Sequence, residues 1–112
     1  MRTLKQYVRD GKRQKVGVLL CGALPTGEDD DNSVVVGYSF CNTKKDTFNH
    51  LLGHRIAANR GNNAYNAGIA YFDDSTLLTK ITMTAPGYAV KQMADFCHRC
   101  FKYFKTDKLL IL

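Results

Sequence analysis

Residues 16–41 read VGVLLCGALPTGEDDDNSVVVGYSFC, and this stretch decides the fold class. It holds two apolar runs, 16–23 and 33–41, on either side of a loop rich in turn-forming and acidic residues. Apolar, β-branched runs bounded by such residues are typical of strands. In the second run, alternation would place four side chains on one face: Val34, Val36, Tyr38 and Phe40. The stretch therefore predicts a β-hairpin.

Helices are predicted before and after this hairpin. A short one would run from Thr3 to Gly11. A second would begin at Thr43 and Asp46, which have the spacing of a capping box, and would end near Gly61. Its apolar arc would hold Phe48, Leu51, Leu52 and Ile56. A last helix over 86–105 would begin at Pro86. Its apolar arc would hold Val90, Met93, Ala94, Phe96, Cys97, Cys100, Phe101 and Phe104.

The remaining segments complete the fold prediction. Residues 66–72 and 77–83 look like a second hairpin, and KLLIL at 108–112 is apolar enough to add an edge strand or to fill the core. We therefore predict an α+β fold, with an antiparallel sheet of two hairpins and helices packed on one face. The 112 residues fall within the usual size of one domain, about 100–150 residues, so 1–112 is taken as a single domain.

Composition narrows the function classes. Hydrophobic residues make up 45% and charged residues 23%, which is ordinary for a globular protein and too apolar for an intrinsically disordered one. No apolar run is long enough to span a bilayer, and no secretion signal opens the chain. A cytoplasmic protein with reduced thiols is therefore expected. No catalytic triad or carboxylate pair can be argued from spacing, so we expect a binding protein that is not an enzyme and needs no cofactor.

Charge is the strongest functional signal. Lys and Arg total 16 against 10 Asp and Glu, which gives a net charge of +6. The cations concentrate in 1–15 and 91–108, whereas four acids stand together at 28–31. A field of this sign favours an anionic partner, such as a nucleic acid, a nucleotide or an acidic protein face. The alternative is a basic surface that serves only solubility.

Two groups of residues are candidates for contact with an anion. The run 42–45 would close a strand and open a helix, which places free backbone N–H groups beside Lys44 and Lys45. On a helical wheel Arg55 lies within about 20° of Phe48, inside the apolar arc, and Asn59 lies one turn later. These two could clamp a phosphate or carboxylate. The alternatives are an ordinary helix start at 42–45 and an Arg55 that snorkels or pairs with Asp46, Asp73 or Asp74.

The predicted contact residues form two sets. The anion-binding set is Lys44, Lys45, Arg55, Asn59 and Arg60. The set that adds electrostatic support is Arg9, Lys12 and Arg13. Basic residues also alternate with aromatic ones near Tyr7 and Tyr103. In such a pattern the basic side chains can follow a nucleic-acid backbone while the aromatic rings stack on bases.

The sequence gives weaker support for a metal site than for an anion site. Cys97 and Cys100 have the C-x-x-C spacing of half a zinc signature, but they fall mid-helix on the apolar arc, which favours core cysteines over zinc or a redox pair. His50 and His54 share one helix face, as zinc ligands do, and a solvated face is favoured there. The acids at 28–31 lack the spaced ligands of an EF-hand. A zinc-dependent enzyme or module is the third function class, and no metal is predicted.

Several ordered segments resemble a group of small, mostly uncharacterised proteins encoded by bacteriophages and their hosts. The segments are LKQYVRDGKR, VGVLL, VGYSFCN, TKKDTFN, LLG, RIAANR and CHRCFKYFK. The resemblance implies an accessory protein that redirects or disarms host machinery by binding, in the cytoplasm of the host cell. Within the motif, Gly37 and Gly53 would let the sheet and the first long helix approach closely. The basic charge argues against DNA mimicry.

The leading hypothesis is a non-enzymatic, phage-type anti-defence protein that binds a nucleic acid or a signalling nucleotide. The alternative is an inhibitor that docks on a host protein, such as a nuclease or CRISPR effector, through the acidic residues 28–31 or an exposed aromatic side chain. No membrane contact is expected. The apolar KLLIL segment and the open edges of a small sheet would allow a homodimer.

Overall fold

The computed structural model of the protein describes residues 3–23, 34–67, 69–71, 74–106 and 108–112. The strands are β1 (Thr3–Arg9), β2 (Lys15–Ala23), β3 (Val34–Phe40), β4 (Ile69–Tyr71) and β5 (Leu109–Ile111). The helices are α1 (His50–Ala67), α2 (Asp74–Thr84) and α3 (Val90–Phe104), with a 3-10 turn at Gly87–Ala89 directly before α3. The α+β class predicted from the sequence is confirmed. None of the described helices is long and apolar enough to cross a membrane.

The strands form one sheet in the order β1-β2-β3-β5-β4. Every neighbouring pair is antiparallel except β3 and β5, which run parallel. The predicted hairpin of 16–23 and 33–41 is confirmed as β2 and β3, with Gly17 opposite Phe40 and Ala23 opposite Val34. The KLLIL segment supplies β5, which is an inner strand and not an edge strand. Its Leu109 and Ile111 are fully buried.

Two short segments have a different structure from the one predicted. The segment from Thr3 to Arg9 is strand β1 and not a helix, because seven of its residues pair with β2. The predicted second hairpin is wrong in its second half, since residues 77–83 belong to α2. Leu77 and Ile81, one helical turn apart, are the buried residues there. Short apolar runs fit both a strand and a helix, and only packing decides between them.

Helices cover both faces of the sheet, and the prediction of helices on one face is wrong in this respect. Val34 and Val36 of β3 belong to the main core with α2 and α3. The alternate residues face α1: Val35 lies beside Gly61, and the Ser39 hydroxyl donates to the Gly53 carbonyl at 2.9 Å. Because β3 is apolar on both faces, each face needs a covering helix.

Helix α3 supplies the main core, as its predicted arc required. Its buried residues are Met93, Phe96, Cys97, Cys100 and Phe104. Val90, Ala94 and Phe101 pack against the same cluster from its margin. An apolar arc of this length removes a large area from water, which is the main stabilising contribution in a small domain. The predicted buried face of α3 is therefore confirmed, but the α-helix begins at Val90, four residues later than predicted, with a 3-10 turn at Gly87–Ala89 before it.

Helix α1 packs on the sheet through small residues. Its buried positions are Gly53, Ala57, Gly61 and Ala64. A Cβ atom at Gly37 of β3 would overlap the carbonyl oxygen of Ala57, so the two backbones are in direct contact. This confirms the predicted close approach at Gly37. The predicted apolar arc of this helix is wrong, because Leu51 is 69% exposed and Leu52 is 49% exposed.

The start of α1 also differs from the prediction. The Oδ1 atom of Asn49 accepts hydrogen bonds from the backbone N–H groups of Leu51 and Leu52, at 3.0 and 3.1 Å. Asn49 is therefore the N-cap of α1, and the predicted capping box at Thr43 and Asp46 is not used. Instead the carbonyl of Asn42 accepts hydrogen bonds from Lys45 and Asp46 in a turn before the helix.

Candidate anion-binding surface

Two basic segments meet at one end of the sheet. The backbone N–H of Cys41 donates to the Val16 carbonyl at 2.7 Å. This bond continues the pairing of Gly17 with Phe40, so the β3–α1 loop, residues 41–49, and the β1–β2 turn, residues 10–14, lie at the same end of the sheet. We call this region the basic end and define it by its exposed cations. They are Arg9, Lys12, Arg13, Lys15, Lys44 and Lys45.

The β1–β2 turn is ordered by its own acid. The Oδ1 atom of Asp10 accepts hydrogen bonds from the backbone N–H groups of Lys12 and Gln14, at 2.9 and 3.0 Å. Arg13 adopts a positive φ of 63°, and the Nη1 of Arg9 donates to its carbonyl at 2.9 Å. The Asp10 carboxylate is thus held against the backbone, and the side chains of the turn that reach solvent are mainly cationic.

Lys44 and Lys45 contribute side chains rather than backbone donors. The N–H of Lys44 donates to Asn42 Oδ1 at 3.2 Å, and the N–H of Lys45 donates to the Asn42 carbonyl at 3.0 Å. Because α1 begins only at His50, the predicted cradle of free N–H groups at a helix start is not formed at 42–45. The two exposed ammonium groups remain available to an anion.

Arg55 and Asn59 lie on the outer face of α1, and both are exposed. Arg55 is two residues from Gly53 and from Ala57, which is about 160° around the helix from each. It therefore points away from the sheet and lines none of the described clefts. The predicted position inside the apolar arc is wrong, because small residues and not Leu51 or Leu52 face the sheet. Of its predicted partners, Asp73 and the Asp74 side chain lie outside the described residues.

Arg60 is engaged within the fold. Its Nη1 donates to the Tyr38 carbonyl at 2.9 Å, and its guanidinium carbon lies 4.9 Å from the centre of the Tyr38 ring. Strand β5 pairs with β3 only as far as Val36. Arg60 therefore covers the edge of β3 beyond the end of β5. These contacts occupy the half-buried guanidinium of Arg60.

Two clefts flank the start of the β3–α1 loop, with Phe40, Cys41 and Asn42 forming the wall between them. The cleft on the α1 side has a volume of about 590 Å³, and its lining includes Asp46 but no lysine or arginine. The cleft on the α3 side has a volume of about 390 Å³ and includes Lys44 in its lining. The second cleft therefore belongs to the basic end.

The cleft on the α3 side contains residues that the sequence did not single out. Its lining includes Phe40 at the end of β3, Thr84 at the end of α2, Tyr88 in the 3-10 turn, and Pro86 between α2 and that turn. No local pattern marks Tyr88, because it reads as an ordinary residue at the start of a helix. The aromatic residues that the sequence did indicate lie elsewhere: Tyr7 packs edge-on to Phe48, and Tyr103 packs edge-on to Phe104.

The cysteines do not form a metal centre within the described residues. Cys21, Cys97 and Cys100 are buried, and Cys41 is half-buried. No group of three or more His, Cys, Asp and Glu side chains in the described ranges could hold a metal ion. His50 and His54 are both exposed on α1. Cys97 and Cys100 are core side chains, as their place on the apolar arc indicated.

Burial also makes the core thiols unreactive. Burial raises the pKa of the Cys97 thiol, and the nearby Cys100 adds to the shift. The pKa of Cys100 is raised first by its hydrogen bond with Cys21 and then by burial. Both thiols therefore stay protonated at neutral pH, and the thiol form is a poor nucleophile and a poor metal ligand.

We expect the native protein to expose a single reactive thiol, that of Cys41. It lies at the wall between the clefts, where its Sγ donates to the Asp46 carbonyl at 3.7 Å. Titration with a chromogenic disulfide should label one of the four cysteines rapidly and the others only after unfolding in guanidinium chloride. The Cys41→Ser variant should lose the rapid phase. A rapid phase that survives in this variant would contradict the burial of the other three.

Comparison of the chain with protein-family models, curated proteins and solved structures gives no match. Its function is therefore inferred from its own surface chemistry. The fold brings together two of the predicted groups: Lys44 with Lys45, and Arg9 with Lys12 and Arg13. Arg55 and Asn59 lie on the outer face of α1, and Arg60 donates a hydrogen bond to the edge of β3.

Proposed function

We propose that this chain is a non-enzymatic binding protein whose basic end contacts the phosphate backbone of a nucleic acid. The supporting observation is that two segments far apart in sequence, 9–15 and 44–45, converge on one end of the sheet. Like charges brought together repel one another in the folded state, and an anionic partner relieves that repulsion. Phosphate contacts of this kind supply most of the affinity in many nucleic-acid complexes.

The cations of the basic end are not neutralised by the described part of the fold. The ion pair present among the described residues joins Lys91 and Asp95, on α3. Within the basic end, Lys15 lies over the Tyr7 ring at 4.3 Å from its centre, and Arg9 donates to a backbone carbonyl. Neither contact cancels a charge. The acids in the same segments are Asp10 and Asp46, so six cations against two carboxylates leave the region positive.

The geometry favours a nucleic acid over a signalling nucleotide. A nucleotide site is normally an enclosed pocket with convergent polar groups. Here the larger cleft has no lysine or arginine in its lining, and most cations stand on an open surface. Several exposed cations on an open surface suit the extended backbone of a polynucleotide. The nucleotide hypothesis therefore has less support.

The resemblance to small phage-encoded proteins adds a setting to this proposal. The chain would act in the cytoplasm of a host cell as an accessory, anti-defence protein that occupies nucleic acid. Docking on a host protein through the acidic residues stays a separate prediction, because 28–31 lie outside the described residues. The basic end is the feature on which the present proposal depends.

The test is a binding titration at two salt concentrations. Fluorescence anisotropy with labelled single-stranded and duplex oligonucleotides should show affinity that falls steeply between ~50 and ~200 mM salt. The double variant Lys12→Gln, Arg13→Gln should weaken binding roughly tenfold or more at the lower salt and reduce the slope of log Kd against log salt by about 2.

The matched control is Lys102→Gln, Lys105→Gln, which removes the same charge from the other end of α3. Lys102 lies twelve residues after Val90, about 18 Å along the helix axis. This variant should bind within about twofold of the wild type at the same lower salt. Equal losses in the two double variants would show that net charge, and not the basic end, drives binding. No binding by the wild type at the lower salt would overturn the proposal.

A further inference from the structure

The cleft on the α3 side is open to solvent and large enough to take one planar ring system. Its volume of about 390 Å³ falls within the roughly 300–1,000 Å³ that is usual for small-molecule sites. Tyr88 is 47% exposed and forms one wall with Pro86, while Phe40 forms the other. The cleft therefore offers aromatic and apolar surface to solvent, with one cation, Lys44, in its lining.

Tyr88 is held in place by Gln92, one helical turn further along. The side-chain amide Nε2 of Gln92 donates to the carbonyls of Tyr88, at 3.2 Å, and of Arg9, at 2.8 Å. Its Oε1 accepts the Arg9 N–H at 2.9 Å. The turn that carries Tyr88 is thus fastened to the end of β1. This fixes the backbone that carries the ring before a ligand arrives, which lowers the entropic cost of binding.

Charged residues of the basic end lie near the ring. Lys44 lines the cleft itself, and Gln92 ties the backbone of Arg9, at the end of β1, to the backbone of Tyr88. Partial burial raises the pKa of Tyr88, and the nearby Asp10 carboxylate and Cys41 add to the shift. The ring is therefore close to both the turn and the loop that make up the basic end, and its hydroxyl is uncharged at neutral pH.

We propose that this cleft takes one unpaired nucleobase, which stacks on Tyr88, so that the ligand of the basic end is a single-stranded nucleic acid. This inference rests on the proposed function. A base in a duplex is already stacked and paired, whereas a base in a single strand can turn out onto an aromatic ring. Phosphates on either side of that base would then meet Lys44 and the cations of the β1–β2 turn.

The same wall offers polar groups to the base. Thr43 and Thr84 are among the lining residues with Lys44, and a threonine hydroxyl both donates and accepts hydrogen bonds. Such groups can adapt to any base edge, so the site should tolerate different bases. Stacking, rather than a fixed hydrogen-bond code, is then the main source of affinity at this position.

The experiment compares a labelled single strand with a duplex of the same sequence. The wild type should bind the single strand more tightly. The Tyr88→Ala variant should raise the single-strand Kd about tenfold while leaving the duplex Kd within about twofold. The Tyr88→Phe variant should keep wild-type affinity, because it keeps the ring. The matched control is Tyr103→Ala, an exposed tyrosine further along the same chain at the far end of α3, which should change neither Kd.

A probe without bases tests the inference with no variant at all. A strand of abasic sugar phosphates should bind the wild type about tenfold more weakly than the normal strand. Equal affinity for the two strands would overturn the inference, as would a Tyr88→Ala variant that is folded and binds the single strand normally. Both results would leave the phosphate-binding proposal intact. If the wild type binds none of these probes at ~50 mM salt, the proposed function itself is overturned.

Discussion

Replacing Gly37 with alanine is expected to lower the free energy of unfolding by about 3 kcal/mol or more. A Cβ atom at this position would overlap the carbonyl oxygen of Ala57 and lie 2.9 Å from the backbone nitrogen of Gly61. Both of these atoms belong to the backbone of α1, so no side-chain rotation can make room. The helix would have to move away from the sheet and lose part of its packing along β3.

Gly61→Ala is the matched control for this substitution. A Cβ atom at Gly61 would lie 3.7 Å from the nearest atom, the backbone nitrogen of Gly37, which is an ordinary contact. Alanine is a better residue than glycine in a helix interior by about 1 kcal/mol, so this variant should gain about 0.5–1 kcal/mol. Urea unfolding at constant slope would measure both changes. A Gly37→Ala variant as stable as the wild type would contradict the backbone contact between α1 and β3.

Replacing Phe96 with alanine is expected to lower the free energy of unfolding by about 3–5 kcal/mol. Phe96 is 0% exposed and is the largest of the fully buried side chains described. It lies in the middle of the α3 arc, between Met93 and Cys100, where its neighbours are themselves buried. Truncation removes its transfer energy and leaves a cavity that close-packed neighbours fill only in part.

Leu51→Ala is the control, because the sequence placed both residues on predicted apolar arcs. Leu51 is 69% exposed, so its truncation should change the free energy of unfolding by less than about 0.5 kcal/mol. Thermal unfolding followed by circular dichroism would compare the two variants. A loss at Leu51 as large as the loss at Phe96 would show that α1 is rotated toward the arc the sequence predicted, and would exclude the packing seen in the structure.

The elements that could be predicted are those with strong local patterns. The α3 arc repeats at helical spacing over fifteen residues, and the β2–β3 hairpin pairs two apolar runs across one loop. The elements that could not be predicted are short. The sequences of β1 and of the second half of the expected hairpin fit both the strand period and the helix period. The residues that pack against them in the sheet or core decided which structure formed.

The candidate surface could be predicted in part for the same reason. The sequence shows which residues are cationic, and it named Lys44, Lys45, Arg9, Lys12 and Arg13. It could not show that these residues lie together, because their proximity depends on the pairing of β2 with β3. Nor could it indicate Tyr88, whose place in the cleft depends on a hydrogen-bonded bridge from Gln92 to β1.

By itself, the sequence determined the α+β class, the buried face of α3 and the excess of positive charge, because each depends on local periodicity or composition. Only the tertiary structure decided which face of α1 is buried and which cations share a surface. A prediction based on hydrophobicity places leucine, and not glycine, on the buried face of a helix. At Gly37, however, the backbones of β3 and α1 meet so closely that the buried residues of α1 are all glycine or alanine. That steric requirement turns Arg55 toward solvent, and strand pairing then gathers the remaining cations at one end of the sheet.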